Sequence, residues 1–195
     1  ASLKSDGGRG PDDRLVAVTS EGELIIYVGT NPDEAATWSL QGVFNAARPT
    51  GPKCFASDGG GLYLSTVDGL IDLARTLSTS QDLQALVTIS DRIGKTWRGR
   101  EGNYKITKGW DVLKSRAHGF TLVNTGAGQL IRESETRGWS EFRDIDAECW
   151  AEYDGELFFG TADGKVKRYI SHDDDFQPIN TYVAHAYAKF RTAQR

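Results

Sequence analysis

Residues 54–73, CFASDGGGLYLSTVDGLIDL, and residues 149–168, CWAEYDGELFFGTADGKVKR, decide the fold. Set one above the other at a constant offset of 95, they agree without a gap at Cys54/Cys149, Ala56/Ala151, Gly60/Gly155, Leu62/Leu157, Thr66/Thr161, Asp68/Asp163 and Gly69/Gly164. Aromatic positions agree as well, Phe55 with Trp150 and Tyr63 with Phe158. Each copy holds a short apolar β-forming run, Leu62-Tyr63-Leu64 or Leu157-Phe158-Phe159, then a Thr-x-Asp-Gly turn and a second strand. The Gly accepts the positive φ of a tight hairpin turn, and the short Thr and Asp side chains bond the turn backbone. Such a hairpin cannot cover its own apolar face. It must stack on a neighbour, which is why units of this kind accumulate as repeats.

The same turn recurs in weaker form at Thr19-Ser20-Glu21-Gly22 and at Thr125-Gly126-Ala127-Gly128. The turn glycines Gly22, Gly69, Gly128 and Gly164 are then spaced by 47, 59 and 36 residues. Their mean matches the roughly 40–50 residues of a propeller blade. Trp-Ser also recurs, at Trp38-Ser39 and Trp139-Ser140, each time where an outer strand would follow the turn. The spacing predicts an all-β chain of about four β-propeller-like antiparallel units in one domain over 14–190. The opening 1–13 reads as a flexible linker or a cut end of a longer chain, and 191–195 as a tail. The long gap of 59 accommodates an inserted helix near 80–97, followed by a basic stretch, together about 79–117. Leu83, Leu86, Val87, Ile93 and Trp97 share one helical face there, with Thr79 or Ser80 as N-cap.

Composition narrows the partners. With 195 residues, 22 Gly, 5 Trp and no Met, the chain can bury a core and has the balance of a turn-rich β protein. A net charge of -4 argues against a dedicated nucleic-acid binder. No apolar run approaches the roughly 20 residues that span a bilayer, and no charged segment leads into an apolar leader, so no membrane partner is expected. The charge is uneven, however. Arg92, Lys95, Arg98, Arg100, Lys105, Lys108, Lys114 and Arg116 are opposed only by Glu101 and Asp111. Lys95, Arg98 and Arg100 form the candidate contact patch, for an acidic partner or non-specific DNA; the plainer reading is a solvated face.

The catalytic inventory is thin. Cys54 and Cys149 do not cluster, and His118, His172 and His185 lack ligand spacing, so neither metal nor cofactor is expected. Ile93-Gly94-Lys95-Thr96 matches the end of a P-loop, but Ile89 stands where its first Gly is needed. Ser90 to Trp97 approaches the Asp-box of sialidase-like propellers with Asp91 one place early. Asp173-Asp174-Asp175 lacks the spaced oxygen ligands of a calcium loop. Asp144, Asp146, Glu148 and Glu152 alternate, so on one strand they would share a face, with nothing to mark a glycosidase pair. No nucleophile elbow or Ser/His/Asp set is present, and the expectation is a protein that is not an enzyme.

Longer stretches carry a family resemblance. FRDIDAECWAEYDGELFFGTADGKVKRY (142–169), the acidic run at 173–175 and Gln177-Pro178-Ile179 follow TWSLQGVFNAARPTGPKCFASDGGGLYLSTVDGLIDLARTLS (37–78) and ALVTISDRI (85–93). In this order they resemble the neck or tail nozzle-type structural proteins of tailed phages and prophages, the head–tail completion and tail tubular β-propeller family, over residues 14 to 190. The resemblance implies a non-enzymatic virion component, made in the bacterial cytoplasm, that contacts other virion or tail subunits and forms a homo-oligomeric ring in a longer parent. Members are usually several times longer, and four units do not by themselves close an ordinary propeller. The alternative is a carbohydrate-binding or glycan-processing β-propeller, motivated by the five Trp and the near Asp-box. Burial of Trp38, Trp139 and Trp150 between sheets would count against it.

Overall fold

The computed structural model describes residues 1–3, 14–29, 31–58, 61–75, 88–103, 110–169, 173–174 and 177–178. Four antiparallel sheets follow one another along the chain. The first holds β1 (Ser2–Leu3), β2 (Arg14–Val18), β3 (Glu23–Gly29) and β4 (Trp38–Asn45). The second holds β5 (Phe55–Asp58), β6 (Gly61–Thr66) and β7 (Gly69–Asp72). The third holds β8 (Asp111–Ser115), β9 (Phe120–Asn124), β10 (Gln129–Glu133) and β11 (Trp139–Phe142). The fourth holds β12 (Cys149–Tyr153), β13 (Glu156–Gly160) and β14 (Val166–Arg168). Two further short strands, β15 (Asp173–Asp174) and β16 (Gln177–Pro178), pair with each other. The chain is therefore all-β, built of repeated meanders. Ser2–Leu3, at the start of the stretch read as a linker, pairs with Leu15 and Arg14 as the edge of the first sheet.

All four sequence-identified turns lie between the second and third strands of a sheet, and Gly22, Gly69, Gly128 and Gly164 all have positive φ. The Thr hydroxyls bond the turn backbone: Thr66 donates to Gly69 O (2.9 Å), Thr125 to Gly128 O (2.8 Å) and Thr161 to Lys165 O (3.1 Å), and Thr19 Oγ1 accepts from Glu23 N (3.0 Å). Asp163 accepts from the Thr161 hydroxyl and pairs with Lys165 at 2.6 Å. Those bonds, with Lys165 foremost, hold its carboxyl down to about 2. Asp68, the matching residue of the second turn, is exposed. Both Trp-Ser pairs open fourth strands, β4 and β11.

The helix falls later than predicted. A 3-10 turn (Asp91–Ile93) leads into α1 (Gly94–Asn103), whereas residues 88–90 are not helical; 79–87 lie outside the described residues. The reason is strand pairing. Thr88 bridges Ile71, Ile89 N donates to Leu70 O (2.8 Å) and Ser90 Oγ accepts from Leu70 N (2.9 Å). Residues 88–90 thus satisfy the edge of β7, where a helix would leave those groups unpaired.

Three apolar clusters join the sheets in sequence. Val16, Leu24 and Ile26 meet Leu62, Leu64 and Ile71 between the first and second sheets. Ala56 and Leu70 meet Val112, Val123 and Leu130 between the second and third. Phe120, Leu122 and Ile131 meet Trp150, Leu157 and Phe159 between the third and fourth. A buried side chain of this type contributes about 1.5–3 kcal/mol, against about 1–2 kcal/mol to fix each residue's backbone. No sheet carries enough apolar surface to stand alone, so stacking and folding are one event. The sheets approach along their first strands, β5 beside β8 and β8 beside β12.

Candidate functional site

The register assigns every strand residue to one of two faces, and the faces have direction. Counting back from the turn Thr, the residue three places earlier points forward, toward the next sheet. Val16 and Leu122 do so in the first and third sheets, and Tyr63 packs against the second cluster from the second. Residues two and four places earlier point backward, toward the preceding sheet: Leu62 and Leu64, and Leu157 and Phe159. Among the described residues, two faces are left over. The forward face of the fourth sheet carries Phe158, its partners Ala151 and Arg168, then Tyr153, Glu156 and Val166. The backward face of the first sheet carries Leu15 and Ala17 with their partners Tyr27 and Ile25, then Leu40 and Val43 on β4. Trp38 stacks on Tyr27 there, centroids 5.6 Å apart.

Both leftover faces are exposed, but only the backward face of the first sheet is apolar; on the forward face of the fourth, Arg168 donates to Glu156 at 3.0 Å among the apolar side chains. Leu15, Leu40 and Val43 show 42%, 52% and 49% of their surface, and Tyr153 and Val166 show 76% and 77%. Scattered apolar residues on a surface are ordinary, but Leu15, Leu40 and Val43 are contiguous with Ala17, Ile25 and Tyr27 on one face. Ala151 and Phe158 are the repeat counterparts of Ala56 and Tyr63, which pack against the third sheet.

The basic patch is divided. Arg92, Lys95 and Arg98 are exposed on the helical segment, and the side chain of Arg100 lies outside the described part. What holds this segment is Trp97, fully buried, whose Nε1 donates to Thr66 O (2.9 Å) and whose ring meets Trp110 and Trp139 edge-on. Lys114 lies further along β8, about 13 Å past Trp110 at ~3.3 Å per residue, and Arg116 follows the end of that strand. Lys114 Nζ donates to Ser134 Oγ (2.6 Å). Lys105 and Lys108 lie outside the described residues.

Near the first strands a cleft of about 430 Å³ is lined by Phe55, Ser57, Lys114, Arg116, Glu152 and Asp154. Its cations and carboxylates are mixed, and Glu152 Oε2 is buried without a hydrogen-bond donor among the described residues. Asp144, Asp146 and Glu148, grouped with Glu152 in the sequence, precede β12 in a loop, so the four do not share a strand face. Asp111 was not singled out by the sequence. It is buried at the start of β8, where Oδ2 accepts from Trp150 N across the sheets (2.9 Å) and stands 3.8 Å from Lys53 Nζ. Its partners are remote in sequence, so no local motif marks it. Asn124 does a similar job, donating to Ala147 O (2.8 Å) ahead of the fourth sheet.

Cys54 is buried in the first cluster, and burial pushes its thiol up. Its counterpart Cys149 is half-buried on the leftover forward face. Among the described residues no group of three His, Cys, Asp or Glu side chains is placed to hold a metal ion, and no helix is long and apolar enough to cross a membrane. No family model matches the chain, and no curated protein matches it.

Proposed function

We propose that this chain is a non-enzymatic structural module that works through protein–protein contacts. The observation that carries the reading is the exposed apolar face of the first sheet (Leu15, Ala17, Ile25, Tyr27, Leu40, Val43), a surface of the kind that packs sheet on sheet inside the molecule. Their place in a phage or prophage tail or neck assembly is the part of the proposal that rests on the sequence resemblance. In that setting the chain contacts other virion or tail subunits, and the exposed Lys95 and Arg98 face solvent where an acidic protein or DNA backbone can approach.

Tryptophan placement weakens the glycan reading. Trp97 and Trp110 are buried in the second cluster, against which Trp139 packs, and Trp150 is buried in the third. Trp38, half-buried on its Tyr27 partner, belongs to none of the three clusters, and one such pair is not a sugar groove. The test is fractionation of induced particles from the source strain on a density gradient, followed by peptide mass spectrometry. Peptides of this chain are expected in the tailed-particle fraction. Their confinement to the soluble lysate would remove the virion assignment.

A further inference from the structure

A role in protein–protein contacts leaves the cleft of about 430 Å³ unused. Residues 55–57 of β5, 112–114 of β8 and 152–155 at the end of β12 and in its turn all line it, so three consecutive sheets contribute. Each of these strands is the first of its sheet and is paired within that sheet on one side only. They are drawn together where Lys53 bridges Asp111 and Asp111 accepts from Trp150 N, and the cleft opens just past that point along the chain. Three kinds of surface meet in it. Phe55 and Leu113 give apolar wall, Lys114 and Arg116 positive charge, and Glu152 and Asp154 negative charge.

Glu152 is the residue that calls for a ligand. It shares the backward face of the fourth sheet with its register partner Leu157, so its side chain is aimed toward the third sheet. Its Oε2 is buried, yet among the described residues it accepts no hydrogen bond, and the carboxylate joins neither cation of the cleft in an ion pair. Lys114 is held by Ser134 instead. Buried polar atoms are almost always satisfied, and an unsatisfied carboxylate oxygen is costly. One water could donate to it, but the cleft has many times the ~30 Å³ share of a water. Apolar wall with a few placed charges is also how small polar ligands are held and oriented. We propose that the cleft binds a small zwitterion with a short alkyl stem, the class of the ω-amino acids. The ammonium of the ligand donates to Glu152, with Asp154 beside it. Its stem lies along Phe55 and Leu113, and its carboxylate faces Arg116 and Lys114. Ligands of a single charge are disfavoured, because a bare cation meets Lys114 and Arg116 and a bare anion meets Glu152 and Asp154. The site rests on the cleft alone and is independent of the virion assignment.

The experiment titrates the full chain with three probes of equal length, 6-aminohexanoate, hexylamine and hexanoate, and follows backbone amide signals by NMR. The zwitterion is expected to give saturable shifts in β8 and in residues 152–155, with each single-charge probe about tenfold or more weaker. Glu152→Gln keeps the shape of the side chain and removes its charge. It is expected to weaken 6-aminohexanoate about tenfold or more and to leave hexanoate no weaker. Arg116 is exposed, so Arg116→Ala is expected to fold and to bring the zwitterion toward the affinity of hexylamine. Circular dichroism checks both variants, and the three probes on the unmodified chain test the proposal without any variant. No saturable shift at high millimolar 6-aminohexanoate would mean that the cleft holds only water, and the proposal would be wrong. Hexylamine or hexanoate binding as tightly as the zwitterion would overturn it too, as would a folded Glu152→Gln chain that binds 6-aminohexanoate unchanged.

Discussion

Asp111 illustrates how single residues hold this stack. It is a charged group buried between three sheets, kept there by the Trp150 backbone N–H and the neighbouring Lys53. The two partners differ in weight. Lys53 is 60% exposed and at 3.8 Å, so the ion pair contributes little. The buried N–H of Trp150 has no solvent alternative, and leaving it unpaired costs about 1–3 kcal/mol. Asp111→Ala is therefore expected to lower stability by about that amount, whereas Asp111→Asn, which keeps an acceptor oxygen, is expected to lose much less. Urea unfolding of the three proteins measures this. Equal losses for Ala and Asn would place the weight on the charge instead.

At the scale of elements, the repeated turn was the most legible part of the sequence. Thr and Gly at fixed offset are local chemistry, and the four turns and both Trp-Ser outer strands lie where that chemistry puts them. The helix was less legible. Apolar periodicity across 83–97 pointed to one continuous element, but Thr88 to Ser90 are used to finish the edge of β7, a demand set by a strand far back in the chain. The turns also make a graded prediction. Gly22 (φ 95) and Gly164 (φ 81) both sit where an L side chain is strained. A Cβ on Gly164 meets open space, but on Gly22 it would lie 2.3 Å from Ala46 O. Gly164→Ala is expected to cost about 1–2 kcal/mol. Gly22→Ala is expected to cost more, because the Ala46 backbone must move and its N–H is bonded to Gly22 O at 2.8 Å. Denaturant midpoints for the pair decide it, and a larger loss at Gly164 would contradict the account.

At the scale of the whole molecule, the alternation of each strand could be read from the sequence, but not which neighbour each face would meet. That direction emerged only once the sheets were set in order, and it gathers the exposed Leu15, Leu40 and Val43 onto the backward face of the first sheet and Tyr153 and Val166 onto the forward face of the fourth. The basic patch shows the converse limit. A run of charges is visible in sequence, yet the Trp97 anchor and the strand β8 carry its members to different places. The central claim is an open stack in which, among the described residues, the second and third sheets are covered on both faces and the first and fourth on one. Residue-resolved amide hydrogen exchange on the dilute chain tests it most directly, because sheets opened from one side exchange through smaller unfolding events. The account predicts the slowest exchange in β6 and β9, with faster exchange in β3 and in β12 and β13. Equal protection across all four sheets would mean that the end faces are covered within a single copy, and the open stack would be wrong.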